Sequence, residues 1–294
     1  AIVETMLRAN QMARSEPPGP VYVCLDAGLQ EAALEEDIKI PDVTRFQPSA
    51  PPQASQEAVK RVADMLLAAS NPILMIGRSG RSREAWDNRV RLAEAVGAGV
   101  FTNLRNSAVF PSDHLLHVGR PAGRITQTMR SMVTAADVVL SLNWLDFGGT
   151  QRLLTRDSEL KGKIVHCSME EYVHNGFGGE LFELPMADLK ITADHDAFVV
   201  QLIEEMESRG VSGSWDGNRV GPDPVSYDNI ADREPDSVLQ PADIVTALAE
   251  VQGKRKISLN RVSSGGVGPA YQFTDPLSYL GHDGGGGLAS GPGT

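Results

Sequence analysis

The sequence is poor in cysteine, aromatic side chains and positive charge. Two cysteines in 294 residues rule out a disulfide-stapled scaffold of the secreted kind. Cys24 and Cys167 lie far apart, in the apolar runs VYVCLD and IVHCSM. They read as buried free thiols of a reducing, cytoplasmic compartment. No run of eighteen apolar residues occurs, so no bilayer-spanning helix is expected. The opening AIVETMLRANQMARSEPPGP has neither the basic start nor the apolar core of a signal peptide. With 27 basic against 38 acidic residues the formal charge is −11, which argues against nucleic acid or an anionic membrane as partner. The six histidines are scattered. His114 and His117 form an i, i+3 pair with no third ligand at metal spacing, so no zinc site is expected. Nucleophile elbow, Walker loop and paired catalytic carboxylates are missing too. Glu170-Glu171 and Glu204-Glu205 read as solvated faces.

What is there falls into three blocks. Residues 2–14 space their apolar side chains as a helix does, Glu16-Pro17-Pro18-Gly19-Pro20 breaks it, and Val21–Leu25 reads as a short buried strand. Residues 46–55, FQPSAPPQAS, are a linker. From about 56 to 210 the pattern alternates. Helical stretches at 56–70, 83–97, 125–136 and 193–207 are interleaved with continuous apolar runs at 72–77, 99–102, 137–142 and 163–167. Such alternation predicts an α/β fold with a doubly wound, mainly parallel sheet, Rossmann-like, covered by helices on both faces. Residues 211–240 are polar and turn-rich, a second linker. The third block, 241–294, offers a helix at 242–251 and a strand at 256–260, then becomes glycine-rich. It has too little core to stand alone, and both ends of the sequence are expected to continue in a longer protein.

Three stretches invite a chemical reading, each beside a plainer one. Gly77-Arg78-Ser79-Gly80, between a strand and a helix, sits where an α/β sheet can hold a nucleotide phosphate; it lacks the full glycine fingerprint and the ribose-binding acid, and a simple turn is the alternative. Ser263 and Ser264 follow a strand end, a phosphate-binding position or a solvated loop. Gly284 to Gly287 and Leu288, in HDGGGGL, suit close approach of main chain to a ligand, or a flexible tether. Arg120, Arg124, Arg130 and Arg152 are either anion contacts or solvated surface.

The ordered set Gly19–Asp26 (GPVYVCLD), Asn71–Gly77 (NPILMIG), Phe110–His114 with Gly119, Ala136–Leu140 (ADVVL) and Ser278 to Gly293 resembles the large thiamine-diphosphate enzymes related to acetolactate synthase and benzoylformate decarboxylase. The resemblance implies that 1–45 closes a pyrimidine-binding domain, 56–210 is the middle domain and 241–294 opens a diphosphate-binding domain. It implies thiamine diphosphate and Mg²⁺ as cofactors and a small 2-oxo acid as substrate, with decarboxylation (a lyase) or acyl-anion carboligation (a transferase) as reaction. A homodimer or homotetramer with its site between subunits is implied as well. By the same resemblance Ser263 and Ser264 touch the diphosphate, the Gly286 carbonyl accepts from the aminopyrimidine within the run that includes Gly287, and Leu288 props the cofactor into its bent shape.

Departures qualify this. The family's activating glutamate belongs to a part of the first domain not present here. Its metal-binding Gly-Asp-Gly and Asn belong beyond residue 294, and Asp283-Gly284 sits too early to replace them, so the chain alone is expected to be inactive. Asn143–Gly149 and Gly119–Gly123 replace the stretches associated with FAD in acetolactate synthases, which argues against FAD. Arg261 stands where many relatives carry an acid. Two rivals remain: a non-catalytic α/β protein binding FAD, NAD or ADP, and an inactive remnant.

Overall fold

The computed structural model describes residues 2–34, 37–119, 121, 123–156, 159–170, 183–211, 213, 215–221, 238, 241–252, 255–260 and 271–281. The chain divides into a unit of residues 1–53 and a unit of residues 54–294, the boundary falling inside the Pro-rich stretch 46–55.

The first unit has two helices, α1 (Ile2–Arg14) and α2 (Ala27–Glu31), and a 3₁₀ turn at Val43–Arg45. No described side chain in it is fully buried. Here one expectation fails. Val21–Leu25 is not a buried strand but unpaired chain, with Tyr22 91% exposed. Cys24 is exposed rather than buried. A strand is held by its ladder partners, and no described residue of this unit supplies one.

The second unit opens on α3 (Gln56–Ala68), which Ser55 caps through the Ala58 N–H. There follow β1 (Pro72–Ile76), α4 (Arg83–Val96), β2 (Gly99–Phe101), α5 (Gln127–Ala135), β3 (Val138–Leu142), α6 (Phe147–Leu154), β4 (Lys163–Cys167), β5 (Leu189–Ile191) and α7 (His195–Ser208). Each helix starts where the sequence supplies an oxygen for its free N–H groups: Ser82, Thr126, Asp146 and Asp194 cap α4, α5, α6 and α7. Gly97 ends α4 in the left-handed conformation that glycine adopts at little cost.

The sheet is wholly parallel in the order β2-β1-β3-β4-β5. Strand alternation feeds two cores. Leu74, Ile76, Leu140, Leu142, Val165 and Cys167 face one of them, which includes buried residues of α3, α4 and α7. Ile73, Met75, Val139 and Ile164 face the other, with Met129 and Val133 of α5 and Phe147 and Leu154 of α6. The strands are apolar on both faces because both are covered. The doubly wound α/β expectation therefore holds, while β5 and α6 were not foreseen.

The second unit also contains α8 (Pro241–Gln252). The strand expected at 256–260 reduces to one parallel bridge, Leu259 with Tyr279. Among the described residues no further ladder pair extends it.

Candidate functional site

In a sheet of this order, the chain reverses its direction of travel between β1 and β3, leaving a crevice beyond their carboxyl ends. Gly77 closes β1 there. A Cβ on it would stand 1.9 Å from the Asn143 carbonyl oxygen, and Arg78 N–H donates to that same oxygen at 3.1 Å. The glycine is thus explained by the approach of two strand ends. Asn143 (φ 49°) and Asp146 (φ 51°) both adopt the left-handed conformation without being glycine, a local strain of about 1–2 kcal/mol each. Asn143 is held by its own side chain: Nδ2 donates to the Arg78 carbonyl at 2.9 Å, and Ser168 Oγ donates to Oδ1 at 2.9 Å. Glu170 N–H donates to Ser168 Oγ, and the Glu170 carboxylate meets Arg78 at 3.3 Å. The start of α6 is closed from outside, since a Cβ on Gly148 would stand 1.9 Å from the Glu183 carbonyl oxygen. Gln151 makes two hydrogen bonds with the Met186 backbone.

The turn at Gly77–Gly80 is also closed. Gly80 N–H donates to Asp196 Oδ2 at 2.7 Å. Arg89 lies on the apolar stripe of α4 with Trp86, Leu92, Ala93 and Val96 and is fully buried. Its guanidinium reaches Asp196 Oδ1 at 2.5 Å, the Gly80 carbonyl at 2.9 Å and the Val109 carbonyl at 2.8 Å. An arginine on that stripe was the available sequence signal, and it was missed.

Two of the described histidines, His117 and His166, are tied into the core. His117 is buried and pushed down to about 4 chiefly by desolvation. Its Nδ1 donates to the Gly119 carbonyl and its Nε2 accepts from Thr102 Oγ1. His166, also pushed down to about 4 by burial, bonds Ser141 Oγ at 3.0 Å and stacks on Phe147 at 5.0 Å. Burial also raises the Cys167 thiol. Among the described residues, no three His, Cys, Asp or Glu side chains are placed to hold a metal ion. Of the arginines singled out, Arg124 is exposed, Arg130 donates to the Leu154 carbonyl and Arg152 pairs with Glu183; Arg120 lies outside the described residues. The three described ones have separate surroundings and share no partner. A groove of about 670 Å³ between α4 and the end of α7, lined by Arg91, Glu94, Glu207 and Trp215 among others, holds no nucleophile.

A second locus lies at residues 271–281. This segment runs antiparallel to residues 104–112: Ala108 N–H donates to the Tyr279 carbonyl, and Ser112 N–H to the Phe273 carbonyl, each at 2.9 Å. The Tyr279 hydroxyl donates to the Leu104 carbonyl at 2.6 Å. Tyr271, Phe273 and Tyr279 are buried with Trp86, Leu104 and Ala108. Gly281 (φ +76°) lies so close to Asn106 that a Cβ would stand 2.4 Å from its carbonyl carbon. On the other side Leu259 N–H donates to the Ser278 carbonyl and Leu280 N–H to the Leu259 carbonyl, forming the parallel bridge. Ser263, Ser264, Gly286, Gly287 and Leu288, the expected cofactor residues, all lie outside the described residues.

Residues 59–176 match the family described as "thiamine pyrophosphate enzyme, central domain". An acetolactate synthase of Mycobacterium avium is 25% identical over 249 residues, covering 81% of this chain and 34% of that protein. A glyoxylate carboligase of Escherichia coli O157:H7 is 27% identical over 221 residues, covering 71% of this chain and 34% of that protein. The crystal structure of benzoylformate decarboxylase from Polynucleobacter necessarius superposes with a TM-score of 0.67 at 16% identity, over 96% of this chain and 49% of that one, a likeness of fold. The chain spans about a third to a half of the length of these relatives.

Proposed function

We propose, from the match of residues 59–176 to the central domain of thiamine pyrophosphate enzymes, that the chain contributes that central domain, and the entries of two cofactor-contacting segments, to an enzyme acting on 2-oxo acids. The reaction is decarboxylation or carboligation, in keeping with the decarboxylase and the carboligase among its relatives. When bound, thiamine diphosphate supplies the electron sink for the carbon–carbon bond that breaks or forms. The carrying observation is the parallel bridge between Leu259 and Tyr279. Because both chains run the same way there, Asn260 and Leu280 lead on in the same direction. Ser263 follows Leu259 by four positions and Leu288 follows Tyr279 by nine, a reach of at most about 14 Å and about 32 Å. One cofactor molecule can therefore meet both segments, with Ser263 and Ser264 at its diphosphate, the Gly286 carbonyl and Gly287 at its pyrimidine, and Leu288 supporting its bend.

The described residues hold that entry rigid. Tyr279 is tied to Leu104, Gly281 rests on Asn106, and Arg83 pairs with Asp275 at 2.5 Å. The segment that leads to the glycine run is thus anchored on residues 83–106, and fixed orientation is what an enzyme adds to a cofactor's own reactivity. Mg²⁺ would be held by residues outside this chain. The proposed enzyme is a cytoplasmic homodimer or homotetramer. No helix among the described residues is long and apolar enough to cross a membrane.

Calorimetric titration of thiamine diphosphate with Mg²⁺, into this chain and into a version extended at both ends, tests the reading. Binding by the extended protein alone is the expected result. Failure of both, with binding of FAD or an adenine nucleotide instead, would replace it with the nucleotide-binding reading.

A further inference from the structure

We propose that Asp196 is a built-in stand-in for a phosphate group: its carboxylate fills an anion seat at the β1–α4 turn and closes the central domain to nucleotides. Four observations converge on that carboxylate. Gly80 N–H, in the turn where a sheet of this kind can bind phosphate, donates to Oδ2 at 2.7 Å. Arg89, fully buried, donates to Oδ1 at 2.5 Å. Asp196 lies in the first turn of α7, where the helix dipole favours negative charge. His195, with a side chain only 8% exposed, has its Nε2 3.7 Å from Oδ2 and without any hydrogen-bond partner. A buried polar atom left unsatisfied is costly, and here it faces the rim of the seat. A carboxylate reaches two of the donors well and leaves the third just out of range. A phosphate, with more oxygens spread tetrahedrally, would meet all three.

The arrangement accounts for the turn's glycine at 80. A Cβ there would stand 2.7 Å from Asp196 Oδ2, so Gly80 is needed for the approach of an anionic oxygen, and that oxygen is the chain's own. It also accounts for the burial of Arg89. A buried guanidinium requires a charged or polar partner, and the half-buried Asp196 supplies it from the neighbouring helix. This inference concerns the central domain alone and does not depend on the thiamine reading.

The test uses the intact chain with inorganic phosphate and ADP as probes. Asp196→Gly empties the seat; Asp196→Asn refills it with a neutral group of the same shape. Calorimetry is expected to give a one-to-one phosphate isotherm for the glycine variant and none for the asparagine variant or the wild type. Phosphate at about ten times its apparent Kd should raise the glycine variant's Tm by roughly 3–5 °C, with chloride at equal ionic strength giving no such shift. Should Asp196→Gly not fold in dilute buffer, phosphate and not chloride is expected to restore its folding. The proposal is overturned if the folded glycine variant ignores phosphate, if phosphate fails to rescue an unfolded one, or if the wild type binds phosphate or ADP as tightly as the variant does.

Discussion

Lowering the pH from about 8 to about 5 should destabilise this protein by roughly 4 kcal/mol through two buried histidines. His117 and His166 are buried and neutral, each pushed from 6.5 to about 4. The cause is chiefly loss of hydration, with His114, Arg219 and Lys190 adding smaller repulsion and the Gly119 carbonyl opposing the shift at His117. The folded form resists protonation and the unfolded chain does not. Stability is therefore complete above the unfolded value of about 6.5, falls as the pH drops below it, and is lost in full below about 4. At about pH 5 an unfolded histidine is almost fully charged and a folded one about one-tenth charged, which costs about 2 kcal/mol each. His195 is lowered as well, first by burial, and acts in the same direction. Urea unfolding monitored by circular dichroism across this range gives the profile. His117→Gln and His166→Asn should each flatten the slope by close to one proton. A flat profile in the wild type, or an unchanged slope in the double variant, would refute the reasoning.

Other perturbations follow from the same geometry. Gly77→Ala brings a Cβ against the Asn143 backbone, where nothing flexible can yield, and should lower the thermal midpoint by several degrees, corresponding to about 2–4 kcal/mol. Gly281→Ala must accommodate both a left-handed φ and the Asn106 backbone. Hydrogen exchange should then rise at residues 104–112 and 271–281 while protection of β1, β3 and β4 is kept; uniform loss of protection would contradict a local latch. Tyr279→Phe strands the Leu104 carbonyl and should cost about 1–3 kcal/mol. A thiol reagent should label Cys24 at once and Cys167 only after unfolding, since Cys24 is exposed and Cys167 is buried with its thiol raised; two fast thiols in the native protein would show the β4 core to be open.

The sheet was legible because its strands are continuous apolar runs with helical periodicity between them. β5 was not, since Leu189-Lys190-Ile191 is too short to carry a pattern, and α6 was not, since its paired glycines argue against a helix until the Glu183 carbonyl that requires one of them is seen. Val21–Leu25 misled for the opposite reason: its composition favours a strand, but composition cannot supply the neighbour a strand pairs with. The Gly77–Gly80 turn admitted either a phosphate seat or a simple turn; the approach of two strand ends accounts for Gly77. Arg89 shows where pattern reading stops, because a charge on an apolar stripe signals a buried partner without naming Asp196 a hundred residues away. For the five expected cofactor residues, the sequence offers order and resemblance; all five lie outside the described residues.

The two margins of the sheet bear on how copies of this protein can meet. At β2 the outward groups of Val100 are already taken, its N–H by the Leu116 carbonyl and its carbonyl by the Val118 N–H. At the far margin, among the described residues, β5 is three residues long with a half-solvated ladder and Lys190 exposed at its centre. Short, charged or covered edges discourage the addition of a foreign strand. Among the described residues, neither margin of the sheet offers a long free edge to a strand from another copy. Contacts made through these margins are expected to use side chains and loops rather than a continued ladder.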